Sequence, residues 1–453
     1  MSEGWLAAAG RFLWFPRPRR GPSSKLYTWT REVRGRIARY HLRTEAGGAG
    51  QLIVNASVLV QLSPAGVAAV RARLDGWDLE QAQAAARGAT PLGLEAPGSA
   101  QIAELDRTLD DLARPQGIYP TFNLADPWAS EPAGVPQVPL RAELALFDCG
   151  AAPHRTGTAP AQLESVREIL RQLWDLGVPQ VQLLGQGAEP AELLRGAVLA
   201  AEDLGMIAGV RLPATALARA ALLDELVQAG VDAVAFPLAS AAAPAHDALL
   251  GPGDFDAARA LARRTQELEI AAVAEVPLTD ANADALPALF ELLAAERFEA
   301  AAVYALATPS GTKPAPALAA EALAQAAVAV IEASEKSGVR FLWQAPLWAC
   351  PTCSVPAQLR RGPRGTTDPS IFVDAAGEVF APRGPYRSAG NLLRQDWEQI
   401  AASAPMLAFR DRSAAITRCE TCPGLELCAA DCPKQPRSWA PWCEVGEASE
   451  VQP

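Results

Sequence analysis

The sequence has 453 residues and a formal net charge of −11, with 50% hydrophobic and 20% charged residues. This length allows two or three domains with a large core, and the composition is that of a globular protein rather than a disordered one. The negative charge would repel a phosphate backbone, and no apolar run approaches the roughly 18 residues of a membrane span. We therefore expect no nucleic-acid partner and no membrane partner.

The start of the chain, MSEGWLAAAGRFLWFPRPRR, lacks the features of a secretory signal, because no basic residue precedes its short apolar stretch. We therefore expect a cytoplasmic protein, in a compartment that keeps thiols reduced. The basic runs are FPRPRR and QLRRGPRG, the latter around Arg360 to Arg364. Both are interpreted as solvated loops rather than nucleic-acid sites.

Residues 1–95 are predicted to form a small α+β domain. YHLRTEAGGAG predicts a hairpin with a Gly-rich turn, and LIVNASVLVQL (52–62) predicts a strand. Ser63 fits the N-cap of the helix that follows, with Pro64 at its first position, and DGWDLEQAQAAA predicts a further capped helix. Residues 96–140 are rich in proline and are predicted to be an extended linker.

The middle of the chain, residues 141–340, repeats one unit. Short apolar runs bounded by Gly and Pro alternate with helical patterns such as AQLESVREILRQLWDLG, which predicts βα units on a parallel sheet. Six units predict an α/β fold with a partial (β/α)6 TIM-type barrel, whose site lies at the carboxyl ends of the strands. The runs are ELALFDC (143–149), PQVQLLG (179–185), MIAGVRL (206–212), DAVAFPLA (232–239), IAAVAEVPL (270–278) and EAAAVYAL (299–306).

The loop after the second predicted strand, LLGQGAEPAELL, carries a family resemblance. Its residues Gly187, Ala188, Glu189 and Pro190 resemble the GGEP motif of radical S-adenosylmethionine (AdoMet) enzymes. The resemblance implies that the backbone of this loop and Glu189 hold the amino group of AdoMet. Ala188 stands where the second glycine is usual, and its methyl group would crowd a ligand that approaches the backbone, which makes AdoMet binding doubtful.

Two later loops resemble the same family. HDALLGPGDFDAA (246–258) follows the fourth strand and is similar to an HD-x-x-R-G stretch, with Leu250 in place of the usual Arg. TPSG (308–311) follows the sixth strand and resembles a late Pro-Gly turn.

The last part of the chain contains a cluster of cysteines. Disulfides, zinc and an iron–sulfur cluster are three possible uses, and reduced thiols favour a metal over disulfides. The spacing C-x2-C-x5-C-x3-C does not by itself separate zinc from iron and sulfur. The cysteines are Cys419, Cys422, Cys428 and Cys432, followed by Cys443.

A second resemblance favours iron and sulfur. FVDAAGEVFAPRGPYRSAGNLL (372–393) is similar to the opening of the SPASM domain, and the cysteine cluster matches SPASM spacing. The resemblance implies a SPASM-like domain over residues 341–453 with one complete [4Fe–4S] site, formed by Cys419, Cys422, Cys428 and Cys443. A second cluster would use Cys432 with Cys350 and Cys353, but Ala381 stands where a further cysteine is expected.

The catalytic cluster motif of the family is incomplete. Radical AdoMet enzymes hold that cluster on C-x3-C-x2-C after the first strand; here Cys149 is followed by Pro153 and Thr156 at the other two positions. Proline has no ligating side chain and a threonine hydroxyl is a poor ligand for such a cluster. His154 lies nearby and is interpreted as a polar loop residue. Without this cluster AdoMet cannot be cleaved reductively, since the cofactor carries the chemistry.

Three carboxylates, Asp148, Glu189 and Asp247, lie near predicted strand ends, where such groups often act as acid or base. Helix capping or a place on the surface explains each of them equally well, so no catalytic residue is assigned.

Two functions are consistent with these features. The N-terminal strands and helices resemble the small winged-helix, PqqD-like domains in which a leader peptide adds as a strand to an exposed edge, although an ordinary accessory domain is the alternative. The first hypothesis is a radical AdoMet/SPASM-like iron–sulfur protein that has lost its catalytic cluster. It would act as a non-catalytic partner in peptide or protein modification, beside an active paralogue and its peptide or protein substrate. The second is an active enzyme of that family.

Overall fold

The computed structural model contains two sheets, an antiparallel one near the N-terminus and a larger, mainly parallel one. Across the described residues, no helix is both long and apolar enough to cross a membrane. The structure describes residues 25–45, 47–55, 58–113, 128, 138–147, 161–219, 221–308, 316–319, 322–344, 347–349, 354–361, 370–381, 388–407 and 410.

The N-terminal sheet has four antiparallel strands that pair in chain order, and three helices cover one of its faces. The strands are β1 (Lys25–Val33), β2 (Arg36–Thr44), β3 (Gly50–Val54) and β4 (Val58–Leu62). The helices are α1 (Pro64–Leu74), α2 (Leu79–Ala89) and α3 (Ser99–Leu112).

The first two helices begin where the sequence predicts. Ser63 has extended backbone, and its hydroxyl accepts the N–H of Gly66 at 3.0 Å, with Pro64 at the first helical position. Asp78 caps α2 through the N–H of Gln81, whose side chain returns a bond to the Asp78 backbone, forming a capping box.

The predicted single strand LIVNASVLVQL is two strands. Asn55 has a φ of 48°, a left-handed conformation that asparagine tolerates better than most residues, and the chain reverses there. As a result β3 and β4 pair antiparallel, so β3 is an interior strand and only β4 lies at the edge.

The prediction of an extended linker over 96–140 was wrong for α3. Four of its side chains recur at three- and four-residue spacing and are at most 2% exposed in the N-terminal core, where the Tyr40 hydroxyl donates to the Leu109 carbonyl at 3.1 Å. These side chains are Ile102, Leu105, Leu109 and Leu112. The helix therefore belongs to the N-terminal unit.

The large sheet is built on six parallel strands that coincide with the six predicted apolar runs. They pair side by side in chain order, which confirms the α/β fold, and no pairing among the described strands closes the sheet into a barrel. The strands are β5 (Arg141–Ala145), β6 (Gln180–Leu184), β7 (Ile207–Arg211), β8 (Ala233–Pro237), β9 (Ala271–Leu278) and β10 (Ala300–Thr308).

Helices follow these strands and pack on the outer face of the sheet. In the first of them Val166, Ile169, Leu170 and Leu173 form a fully buried stripe, and Gly177 ends it with a φ of 88°. The helices are α4 (Leu163–Leu176), α5 (Ala191–Leu204), α6 (Ala214–Leu217), α7 (Leu222–Gln228), α8 (Ala243–Leu250), α9 (Asp254–Glu267), α10 (Leu286–Ala295) and α11 (Leu323–Ser337).

Later segments extend the large sheet at both ends. Parallel to β10 lie β11 (Leu318–Ala319), β12 (Arg340–Trp343) and β13 (Leu347–Trp348). At the other end β14 (Ser370–Val373) pairs in parallel with β5 and is followed by the antiparallel β15 (Glu378–Phe380) and β16 (Ser388–Asn391). Two short helices are α12 (Val355–Arg361) and α13 (Trp397–Ala401). The predicted boundary between residues 340 and 341 therefore does not separate two sheets.

The N-terminal sheet packs its second face against the end of the large sheet where the parallel strands begin. Arg39 on β2 forms ion pairs with Glu202 of α5 at 2.8 Å and with Asp232, just before β8, at 3.2 Å. The Nε2 atom of His41 lies 2.9 Å from the Gly205 carbonyl. A small apolar cluster adds to this interface: Ile53, Leu140 and Ile207.

Candidate functional site

The carboxyl ends of the six parallel strands meet at one edge of the large sheet, opposite the N-terminal unit. In barrels of this type the loops at that edge carry the functional residues. The loops that follow β6 and β8 are described by the structure, whereas residues 148–160 after β5 are not.

The loop after β6 is closed by the carboxylate of Glu189. Its Oε1 accepts the N–H of Gln186 at 2.7 Å and its Oε2 accepts the N–H of Gly187 at 2.8 Å, while the side chain is only 5% exposed. Gly187 has a φ of 98°, and a Cβ there would lie 3.1 Å from the Cβ of Ala216. Glycine at this position and glutamate two residues later therefore fix the loop conformation.

Ala188 does not crowd the loop. It is exposed, and it is absent from the residues whose φ is positive. The methyl group therefore adds no backbone strain and fills no buried space next to the loop. The sequence argument that this residue obstructs a ligand finds no support in the geometry.

In the loop after β8, the histidine and aspartate of HDALLGPGDFDAA hold the chain rather than face an open site. The fully buried His246 accepts the Ala239 N–H on Nδ1 at 3.2 Å, and its Nε2 lies 3.1 Å from Asp254. Asp247 accepts the N–H groups of Gly253 and Phe255 at 2.8 and 3.0 Å, and these bonds lower the pKa of its carboxyl group. Asp247 is thus a cap at the start of α9, one of the roles expected for it.

A buried ion pair lies inside the curve of the sheet. Arg211, the last residue of β7, donates from Nε to both carboxylate oxygens of Glu275 on β9, at 2.9 and 2.8 Å. The two residues are 4% and 6% exposed. The Arg211 carbonyl accepts the N–H of Gly185 at 3.0 Å, so the ion pair lies beside the Gly185–Pro190 loop.

Two donors converge on one carbonyl oxygen above this ion pair. The Tyr304 hydroxyl on β10 donates to the Leu359 carbonyl of α12 at 3.1 Å, and Nη2 of Arg211 donates to the same oxygen at 3.3 Å. Burial raises the pKa of Tyr304, so its hydroxyl stays protonated and remains a donor. The buried ion pair of the large sheet is therefore linked directly to α12.

A second polar layer lies nearer the start of the strands. Arg141 donates to the Gln182 side chain at 3.1 Å, and burial lowers the pKa of Arg141 against the opposing effects of Glu143 and Glu275. A Cβ on Gly209 would meet the Gln182 Oε1 atom at 2.5 Å, so the glycine makes room for this side chain.

This interior network was not predicted from the sequence, although the sequence contains a signal for it. Arg211 and Glu275 are single charged residues in the otherwise apolar runs MIAGVRL and IAAVAEVPL. A lone charge near the end of a buried strand requires a partner, because an unpaired buried charge is costly. Opposite charges on two such strands predict that the residues meet.

The predicted metal ligands lie outside the described residues. Cys149, its neighbours and every other cysteine of the chain lie outside the described residues. Asp148 and the last three residues of TPSG also lie outside them. Over the part that the structure describes, no three His, Cys, Asp or Glu side chains are grouped so as to hold a metal ion. The ligand sets therefore remain predictions: Cys149, Cys350, Cys353, Cys419, Cys422, Cys428, Cys432 and Cys443.

No protein-family model matches the chain, and no curated protein matches its sequence. Solved structures do match. Streptococcus suis SuiB bound to S-adenosylmethionine is 13% identical, with a TM-score of 0.53 over 90% of this chain and 99% of the SuiB chain. SuiB bound to its precursor peptide SuiA matches with a TM-score of 0.54 and 13% identity, over 92% of this chain and 100% of SuiB. The chain therefore has the SuiB fold along most of its length.

A looser match is native anSMEcpe with bound AdoMet, which is 11% identical, with a TM-score of 0.48 over 67% of this chain and 93% of that one.

Proposed function

We propose that this chain, which has the fold of SuiB, is a radical AdoMet/SPASM-like iron–sulfur protein without a catalytic cluster. It acts as a non-catalytic partner in the modification of a peptide or protein. The observation that carries the proposal is the combination of this fold with Cys149, Pro153 and Thr156 at the three positions where the family has cysteines. A site with one thiolate cannot hold a cluster that needs three.

The domain division proposed with this function keeps the sequence boundaries. Residues 1–95 are a PqqD-like peptide-recognition or accessory domain, 96–140 connect it to the barrel, 141–340 form the barrel and 341–453 the SPASM-like domain. The helix α3 joins the first of these units, and β14 to β16 join the sheet of the third. One [4Fe–4S] cluster on Cys419, Cys422, Cys428 and Cys443 is the proposed cofactor, with a second cluster as a further possibility.

The Gly185–Pro190 loop fits AdoMet. SuiB, which shares the fold, is known bound to S-adenosylmethionine. Each carboxylate oxygen of Glu189 accepts one loop N–H and retains acceptor capacity for an amino group. We propose that Gly187, Ala188, Glu189 and Pro190 hold AdoMet, and that the chain binds this molecule without cleaving it. The protein's residues supply orientation; the reductive chemistry would come from a cluster.

The proposed partners are a peptide or protein substrate and an active paralogue. The SuiB structure with the precursor peptide SuiA supports the first of these. Helices cover one face of the N-terminal sheet and the large sheet covers part of the other, so the proposed docking site for a peptide is an edge strand, β1 or β4.

The deciding experiment is an AdoMet cleavage assay on the anaerobically reconstituted full chain with dithionite. We expect no 5′-deoxyadenosine above the protein-free control, even with iron and sulfide fully loaded. As internal controls, Cys422→Ala should remove most of the bound iron, whereas Cys149→Ala should leave the iron content unchanged. Robust 5′-deoxyadenosine formation by the pure chain would overturn the proposal, and zinc without labile sulfide would remove its cofactor.

An active radical AdoMet/SPASM enzyme is the second candidate. The match to SuiB along nearly the whole chain and the intact geometry of the Gly185–Pro190 loop favour it. The same assay decides, because only this candidate produces 5′-deoxyadenosine.

A further inference from the structure

The segment that joins β7 to α6, residues 211–216, lies directly against the Gly185–Pro190 loop. The Gly185 N–H donates to the Arg211 carbonyl at 3.0 Å, one residue beyond the end of β6. The parallel pairing of β6 with β7 therefore continues for one more bond. As a result, the point at which the loop leaves the sheet is fixed by the backbone of the β7–α6 segment.

Two glycines of the loop lie close to side chains of this segment. A Cβ on Gly185 would lie 2.4 Å from Cδ2 of Leu212, although the φ of Gly185 is not one that itself requires glycine. A Cβ on Gly187 would lie 3.1 Å from the Cβ of Ala216 and 3.5 Å from Cγ of Pro213. The loop fits against the segment because both of these positions lack a side chain.

The β7–α6 segment is itself fixed by the core of the large sheet. Leu212 is fully buried and Leu217 is 1% exposed, and both belong to the main core cluster. The Leu212 N–H donates to the Ala235 carbonyl of β8 at 3.2 Å, and the Pro213 carbonyl accepts the N–H of Ala216 at 3.0 Å. Because protein cores are close-packed, we expect the loop to follow the shape of this segment rather than the reverse.

Other residues of the loop are open to solvent. Ala188 and Pro190 are exposed and Gln186 is partly exposed, whereas Leu212 and Ala216 are 0% and 5% exposed. A ligand can therefore reach the loop without contacting either of these two side chains. Any effect of the segment on such a ligand passes through the conformation of the loop.

We propose that Leu212 and Ala216 are positioning residues for the binding of AdoMet. They hold the backbone of Gln186 and Gly187 where its two N–H groups meet the Glu189 carboxylate, and this carboxylate keeps acceptor capacity for the amino group of AdoMet. The inference rests on the proposed function, since it concerns the same loop, and it adds two residues from outside that loop to the site.

The first test is Ala216→Val in the full chain, because two added methyl groups at this contact should displace Gly187. The rate of deuterium uptake by the peptide that contains the Gly185–Pro190 loop, measured without ligand, should rise about five- to tenfold, and the dissociation constant for AdoMet should rise by a similar factor. Ala229→Val is the matched control. Ala229 is 6% exposed at the end of α7, so the change adds the same volume at a similar burial but away from the loop.

A second set of variants tests Leu212. Gly185→Ala should raise the same uptake, because the new Cβ meets Cδ2 of Leu212. Adding Leu212→Val, which has no Cδ atoms, should lower the uptake again at least about threefold, since the two changes act on one contact. Adding Leu226→Val instead, at another fully buried leucine of the same core, should give no such rescue.

Equal uptake in Ala216→Val and Ala229→Val, or equal rescue by Leu212→Val and Leu226→Val, would overturn the positioning role. An unchanged affinity for AdoMet in a variant whose loop uptake is raised would overturn it as well. If the wild-type chain binds no AdoMet while the differences in uptake remain, the proposed ligand is wrong and the positioning of the loop stands. The deuterium measurement thus separates a failure of this inference from a failure of the proposed function.

Discussion

Glu189 illustrates how one residue can shape a loop before any ligand arrives. Its carboxylate accepts two successive backbone N–H groups, of Gln186 and Gly187, in a site from which water is largely excluded. Charge-assisted bonds of this kind are stronger than neutral ones. Gly185 is also restricted, because a Cβ there would lie 2.8 Å from Glu189 Oε2. The loop is therefore held by its own sequence.

We predict that Glu189→Gln lowers the free energy of unfolding by about 1–3 kcal/mol, because an amide offers one oxygen where the loop uses two. The matched control is Glu192→Gln in the first turn of α5, the helix that follows the loop, where the side chain is exposed. That control should change stability by no more than about 0.5 kcal/mol. Urea denaturation measures both variants, and equal effects would show that the Glu189 bonds contribute nothing specific.

At the scale of elements, the edge strands of the N-terminal sheet are where we expect a peptide to bind. Helices cover one face, the start of the parallel strands covers part of the other, and β1 and β4 have unpaired edges. On β4, Leu59 is 50% exposed and lies opposite Ile53, a member of the apolar cluster at the barrel interface. An apolar edge that continues an existing interface is well suited to an added strand.

We therefore predict that Leu59→Lys weakens the binding of an extended peptide at least about tenfold, because a lysine on an edge strand opposes strand addition. The probe is a peptide selected on the full chain from a displayed random library, with affinity measured by fluorescence anisotropy. Ile37→Lys is the control: Ile37 is 71% exposed on β2, an interior strand. Equal weakening by both changes, or a selection without binders, would contradict docking at β4.

At the scale of the whole molecule, a polar interface joins the N-terminal unit to the large sheet. His41, which is 2% exposed, uses Nε2 for the Gly205 carbonyl, and its Nδ1 has no partner among the described residues. Burial lowers the pKa of His41 and outweighs the hydrogen bond to the Gly205 carbonyl, which acts to raise it; the charge of Arg39 adds to the lowering. Burial raises the pKa of Asp232. We therefore expect the stability of this interface to depend on pH.

The sign of the response follows from these shifts. A histidine whose pKa is lowered stabilises the packed state fully above its ordinary pKa of 6.5, and this contribution is lost as pH falls below that value. Asp232 has the opposite effect. Because its pKa is raised in the folded chain, it stabilises the packed state as pH falls toward its ordinary pKa of 3.8. We predict that the free energy of unfolding is lower at about pH 5.5 than at about pH 7.5. Below pH 6.5 the loss should be at most about 1.4 kcal/mol for each pH unit.

Urea denaturation at the two pH values checks this prediction. In His41→Gln the amide can still donate to the Gly205 carbonyl but does not titrate, so its stability should depend less on pH over this range. A pH dependence equal to that of the wild-type chain would show that His41 is not the group responsible.

The sequence predicts those parts of the fold in which local pattern and tertiary packing agree. The six parallel strands are apolar runs buried on both faces, and the Ser63 cap is a purely local signal. Asn55 was harder to interpret, because a single left-handed residue divides a continuous apolar run without any glycine or proline. The helix α3 was missed because prolines on either side outweighed its four buried residues. The bond from Arg211 to the Leu359 carbonyl could not be predicted, because it joins segments that are distant in the chain and local sequence patterns do not specify such contacts.

The pairing of β14 with β5 joins segments that are far apart in the chain and so sets the order in which the large sheet can be completed. Arg141 and Ser370 lie side by side, about 230 residues apart in the chain. At a synthesis rate of ~5–20 residues per second, the outer edge of β5 stays without its neighbour for roughly 10–50 seconds. An open parallel edge is a template for pairing with other chains. During translation the outer edge of RAELA therefore waits for SIFV, and we expect it to be the part of the large sheet most open to pairing with other chains in that interval.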